Sequence, residues 1–188
     1  MTGATQPPER AEPGPRRLRW AERVADLVAV RESQIVLGLD PDPRRLWPGA
    51  DSGGRDPGAA VRAHCAALID AAGEACVAVK PQLACFERLG PPGAAALVDV
   101  VEHAHAAGLL VIADGKRGDV PVTAAAYAEA LSLLGADAFT ANPLLGIDAL
   151  APLVATGAGV FVLVRTSNPG ARDVQDLELA EGGPLWQR

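Results

Sequence analysis

Aromatic residues make up only 4% of the 188 residues, too few to build a stacking platform for single-stranded nucleic acid. Basic residues are the minority charge: 17 Lys and Arg against 23 Asp and Glu give a net charge of −6. Beyond a short N-terminal tract there is no basic block, so no nucleic-acid partner is expected. No apolar run approaches the ~18–20 residues of a membrane span, and no signal peptide is expected ahead of the first helical pattern. The expected location is therefore cytoplasmic, away from any membrane. The three cysteines, Cys65, Cys76 and Cys85, are an odd number without metal-ligand spacing, which implies neither a disulfide framework nor a zinc site. What the chain does have is apolar bulk. At 49% hydrophobic residues it can bury a real core, as one domain or most of a larger one.

Residues 1–16 hold four prolines and two glycines among charges and read as a flexible tail, with the folded part spanning 17–188. Trp20, Val24, Leu27 and Val28 recur at helical spacing. A short apolar run then starts at Ile35 and closes at Asp40, ahead of Pro41 and Pro43. Residues 44–57 read as a long exposed loop. Beyond them, helical and apolar stretches alternate. One helix carries Val61, Cys65, Leu68, Ile69 and Ala72, with Gly73 as its stop, and the next carries Leu97, Val98 and Val101 before Gly108. A third starts at Pro121 and runs through Tyr127 and Leu131 to Gly135, and a short one lies around Leu150 to Val154. Between them run ACVAVKP, LLVIADGK, DAFTANP and GVFVLVRTS.

Continuous apolar strands separated by helices are the pattern of a parallel sheet covered on its faces by helices. Each of the five runs ends in polar residues: Asp40, Lys80, Asp114 with Lys116, Asn142, and Thr166 with Ser167. An open doubly wound sheet concentrates such groups at its switch point, whereas a β/α barrel assembles its active site from every strand end. The expected fold is α/β, of the (β/α)8 TIM-barrel type. Eight units take ~250 residues, and only about five are found, with no sixth strand in 170–188. The chain is thus expected to be the N-terminal part of a barrel, its two sheet edges exposed unless something covers them.

The densest polar run is ADGKRGDVPVT. Asp114 and Lys116, two apart at a strand end, are expected to face the same way. Asp119 follows where the strand gives way to loop, and Lys80 ends the neighbouring strand. Read as physics, this is a row of alternating ammonium and carboxylate groups in which opposite neighbours favour the ionised forms. Such a row can present a lysine as proton donor and a carboxylate against an anionic substrate group, as a decarboxylation requires. The alternative is an ion-pair network that stabilises a barrel end.

The D-x-K-x-x-D run, preceded by a strand ending in K-P and followed by P-x-T, resembles orotidine 5′-phosphate decarboxylase. The bacterial subgroup is the better match: GLDPDP lies at 38–43, VKPQLACFE at 79–87, DGKRGD at 114–119, NPLLG at 142–146 and RTSNPG at 165–170. The resemblance spans roughly residues 17–188, with all five motifs in order. It implies conversion of orotidine 5′-monophosphate to uridine 5′-monophosphate and CO2 in pyrimidine biosynthesis, without metal or organic cofactor. In the roles it implies, Lys116 protonates C6, Asp114 stands against the substrate carboxylate, Lys80 orients it and reaches the ribose, and Asp40 binds a ribose hydroxyl. Ser167 hydrogen-bonds the pyrimidine. Asp119 and Thr123 enter the neighbouring subunit's site, so a homodimer is implied. The family's phosphate-gripping arginine and glycine-bearing loop belong to its last two strands, which these residues do not include. Weak or no activity is therefore expected of the chain alone.

The other polar residues are weaker candidates. Asn142 stands at a strand end and could line the site or cap a turn. His64, His103 and His105 fall within helices and read as surface or packing groups, as do the three thiols in the core. Glu87 and Arg88 could form a structural pair, and Asp137 precedes a strand on the face opposite the site, where a stabilising role is expected. Three rival functions stay open. The first is a Mg-dependent sugar-phosphate decarboxylase or aldolase, which GLDPDP, VKPQ and RTSNPG fit poorly. The second is Schiff-base chemistry at a strand-end lysine, which flanking carboxylates disfavour. The third is an inactive fragment that needs its C-terminal remainder.

Overall fold

Prolines and glycines set the boundaries of the helices. In the computed structural model, which describes residues 19–50 and 56–188, Pro57, Pro91 and Pro121 each open a helix. There the missing N–H is one the helix would leave unpaired anyway. These are α2 (Pro57–Ala72), α4 (Pro91–Ala106) and α5 (Pro121–Leu133). The helix at the start is α1 (Trp20–Arg31), and α6 (Ile147–Ala155) lies between the last two strands. The strands are β1 (Ile35–Leu39), β2 (Cys76–Pro81), β3 (Leu110–Arg117), β4 (Ala138–Ala141) and β5 (Gly159–Val162). All pair in parallel in the order β1-β2-β3-β4-β5. A sheet whose spatial order is its chain order, with a helix at each crossover, is wound in one direction, as a β/α barrel is.

Alternate strand residues serve two cores. Val111 and Ala113 of β3 join Val61, Cys65 and Ile69 of α2 and Leu97, Val100 and Val101 of α4 in the larger cluster, on the outer face. Leu110 and Ile112 join Val77, Ala78 and Ala138 on the inner face, where Trp20, Val24, Leu27 and Val28 of α1 pack against them. Trp20 lies over Gly159, where a Cβ would come within 2.6 Å of the indole, and meets Phe161 edge to face at 5.9 Å. The two faces are therefore unlike. The helices α2, α4, α5 and α6 pack on the outer one, as a β/α barrel requires, while among the described residues α1 alone packs against the N-terminal end of the inner one. The two outermost strands show the consequence: Val36 of β1 and Phe161 of β5 remain 41% and 45% exposed.

Other expectations change in detail. Gly73 does end α2, as its C-cap, but with φ −60° and its N–H on the Ile69 carbonyl the chain runs on into a 3-10 turn at Gly73–Ala75. The VKPQLACFE segment contains a one-turn helix, α3 (Leu83–Glu87), and a second short one, α7 (Ala171–Val174), follows β5. The fifth strand stops at Val162, before the polar residues expected to end it. The expected tail, 1–16, and part of the expected loop, 51–55, lie outside the described residues. Ala50, within that loop, is buried. Among the described residues no helix is long and apolar enough to cross a membrane.

Candidate active site

At the C-terminal ends of β2, β3 and β4, the inner face turns from apolar to charged. Asp114, with its side chain only 7% exposed, takes Lys80 Nζ on Oδ2 at 2.8 Å and Lys116 Nζ on Oδ1 at 2.6 Å. The Thr140 hydroxyl donates to the same Oδ1 at 2.9 Å, and Gln82 Nε2 donates to Oδ2 at 3.3 Å. Three strands thus contribute to one carboxylate. Burial pushes the Asp114 carboxyl up, but the hydrogen bonds from Lys116, Lys80 and Thr140 and the Lys80 charge outweigh it and hold it at about 2. At neutral pH Asp114 is an anion.

The backbone around it is tightly constrained. Lys116 has φ +47°, a left-handed conformation uncommon for a residue with a side chain. A Cβ on Gly115 would lie 2.8 Å from Leu83 Cδ1, and one on Gly118 would lie 2.9 Å from the Asn142 carbonyl oxygen. The outward-facing Arg117 pairs with Glu87 and stacks over the Tyr127 ring at 5.1 Å, tying β3 to α3 and α5. Glu87 is thus partnered by Arg117 and not by Arg88, which donates to the Pro41 carbonyl at 2.7 Å. Among the described residues no group of three or more His, Cys, Asp or Glu side chains is arranged to hold a metal ion.

Comparison with known proteins places the chain in a family. Residues 33–183 match the model of the orotidine 5′-phosphate decarboxylase / HUMPS family. This chain belongs to that family. It is 43% identical to the orotidine 5′-phosphate decarboxylase of Rhodopirellula baltica over 172 residues, covering 82% of the chain and 57% of the relative. To that of Haloarcula marismortui it is 42% identical over 175 residues, covering 91% of the chain and 61% of the relative. The solved structure of Leishmania donovani OMP decarboxylase superposes with a TM-score of 0.76 at 35% identity, covering 90% of this chain and 62% of that one. The chain therefore spans about three fifths of the length of the relatives it matches.

Within this member of the orotidine 5′-phosphate decarboxylase / HUMPS family, the residues expected at the site fall into two groups. Lys80, Asp114 and Lys116 come together. Asp119, expected to continue the row, does not join it within the chain; its Oδ1 accepts the Val120 N–H at 2.8 Å. Thr123 lies half-buried in the first turn of α5, outside the cluster. Asp40 stands exposed just past β1, its Oδ2 only 3.2 Å from where a Cβ on Gly38 would be, and Gly38 pairs with Lys80 in register. Asn142 Oδ1 accepts the Leu144 N–H at 3.0 Å, which is the turn-capping use of that side chain. Ser167 is exposed in the loop after β5. That loop is closed on itself by Arg165, forked onto Asp176 at 2.7 and 2.8 Å, and by the Thr166 N–H on Gln175 at 2.7 Å.

Two participants, Gln82 and Thr140, are not singled out by the sequence. Thr140 lies two beyond Ala138 on the inner-facing register of β4, where alternation was the signal available. Gln82, by contrast, stands just past β2 as the first residue before α3 and meets Asp114 through an isolated bridge that no strand periodicity announces.

Proposed function

We propose that the protein decarboxylates orotidine 5′-monophosphate to uridine 5′-monophosphate, with Lys116 as proton donor and neither metal nor organic cofactor. The observation that carries the reading is a single buried carboxylate, Asp114, held ionised between two ammonium groups at the strand ends. A substrate carboxylate placed beside Asp114 would be crowded by like charge. When the C6–carboxylate bond breaks, CO2 departs and the electron pair stays on C6. Lys116 Nζ stabilises that charge in a partly desolvated site and then transfers a proton to it, after which the amine is reprotonated from solvent.

Lys80 orients the substrate and reaches its ribose, Asp40 binds a ribose hydroxyl, and Ser167 meets the pyrimidine. Asn142 borders the pocket through the turn it caps. Asp119 and Thr123, left outside the cluster of their own chain, act across a homodimer interface in the partner's site. Every relative compared above is named for this decarboxylation, which favours it over the sugar-phosphate chemistry that shares the barrel.

The test is loss of orotidylate ultraviolet absorbance. Among the described residues β1 and β5 each have a strand partner on one side only, and the 188-residue chain is expected to turn over weakly until the barrel-completing segment of a relative is supplied. With it, turnover is expected to survive chelation and to collapse in Lys116→Ala. Near-normal turnover by Lys116→Ala would remove the proposal.

A further inference from the structure

The pairing of β3 with β4 is interrupted at the cluster. Ile112 and Ala113 lie opposite Ala138 and Phe139, and pairing resumes only at Arg117 opposite Ala141. Asp114, Gly115 and Lys116 therefore face Thr140 alone across a bulge. A bulge leaves backbone groups without ladder partners and re-aims the side chains it carries. Here the Lys116 N–H donates to Thr140 Oγ1 at 2.8 Å instead of to a strand carbonyl. The hydroxyl has one proton, and it goes to Asp114 Oδ1 at 2.9 Å, the oxygen that also takes Lys116 Nζ at 2.6 Å. A closed ring results, running from the Lys116 amide through the Thr140 hydroxyl and the Asp114 carboxylate to the Lys116 ammonium. The far end of the bulge is closed by the Asn142 N–H on the Arg117 carbonyl at 2.8 Å.

We infer that Thr140 is a positioning residue that fixes both ends of Lys116, holding its backbone in the left-handed conformation and its ammonium on Asp114. A threonine that merely satisfied a buried carboxylate would need only the second bond. The first, to the amide of the strained residue itself, couples the hydroxyl to where the ammonium is carried. A left-handed residue with a side chain persists only where its surroundings over-determine it, and Thr140 is the side chain that does so here. The inference rests on the reading of Lys116 as proton donor.

The test compares Thr140→Val, which keeps shape and loses the hydroxyl, with Thr140→Ser, which keeps the hydroxyl. In orotidylate turnover, with the barrel completed, Thr140→Val is expected to lower kcat roughly tenfold to a hundredfold at nearly unchanged KM, the scale of a small misplacement of a reacting group. Thr140→Ser is expected to restore it. By NMR of the 188-residue chain, Thr140→Val is expected to raise the Asp114 carboxyl titration and speed exchange of the Lys116 amide, while Thr140→Ser does neither. Unchanged kcat in Thr140→Val, or a Thr140→Ser as impaired as Thr140→Val, would overturn the inference. Should the parent protein not turn over orotidylate at all, the proposed reaction fails. The NMR comparison still decides the hydroxyl's hold on Lys116, and an unmoved amide and carboxyl would overturn it.

Discussion

Asp114 and Asp137 lie at opposite ends of the sheet, each with most of its side chain buried and each held by two basic side chains. At the N-terminal end, Asp137 takes Arg23 at 2.6 Å, His105 at 3.0 Å and the Val111 N–H at 2.8 Å. Those partners come from α1, α4 and β3, three elements that the carboxylate ties together. Asp114 draws its partners from β2, β3 and β4, strands that the backbone ladder already joins. The sheet does not need that second cluster for cohesion, and it brings two like-charged lysines to one carboxylate. A group that adds little to assembly and concentrates charge at a strand end is the one to expect at a reaction centre.

Substitution should separate the two clusters cleanly. Lys116→Ala is expected to cut orotidylate turnover by roughly 10²–10⁴-fold, the usual contribution of a general acid. Its urea midpoint should move little, because Asp114 keeps Lys80, Thr140 and Gln82. Asp137→Ala is expected to do the reverse. It leaves the Val111 N–H and the Arg23 guanidinium without their acceptor, at a cost of about 2 kcal/mol in urea unfolding, while turnover per folded molecule stays near the parent value. If Asp137→Ala abolished turnover in a fully folded sample, the contrast between the two ends would be lost.

The contrast was only half legible in the sequence. The D-x-K spacing and the apolar runs place Lys80, Asp114 and Lys116 at neighbouring strand ends, because a parallel sheet in chain order leaves little freedom there. Asp119 falls away because the chain turns at Gly118, pressed against the Asn142 backbone, a contact that spacing along one strand does not contain. Thr140 was hidden for a related reason. Its role depends on three residues of β3 facing one of β4, and register between strands is a property of the pair. The short α3 is below the length at which helical periodicity can be read. GVFVLVRTS overstates β5, since the strand ends at Val162 and only the Leu163 N–H still reaches the Ala141 carbonyl of β4, at 2.9 Å, while Arg165 and Thr166 turn to partners in their own loop.

The bulge gives a further way to sharpen the comparison. With φ at +47°, position 116 suits glycine better than any residue with a Cβ. Lys116→Gly is expected to be more stable than Lys116→Ala by about 1 kcal/mol, the usual cost of a left-handed L-residue. Both variants should be equally deficient in turnover. That outcome would mean the chain accepts strain at 116 for the sake of the ammonium. Equal unfolding midpoints for the two would show that the bulge relaxes once the lysine is gone.

The smallest effect separates two histidines on one helix. His103 and His105 are two apart on α4 and each meets a carboxylate, Asp70 at 2.7 Å and Asp137 at 3.0 Å. Distance alone would rank His103 first. Burial reverses the order, because the Asp70 side chain is 67% exposed and that of Asp137 only 10%. Water competes for the first pair and screens it, whereas the second belongs to a cluster that has lost much of its solvent. His103→Ala is expected to change stability by less than about 0.5 kcal/mol, and His105→Ala to cost about 1 kcal/mol, both from urea unfolding at neutral pH. Equal costs would mean that Asp137 binds its partners no more strongly than a surface carboxylate does. The N-terminal cluster would then lose its standing as the structural counterpart of Asp114.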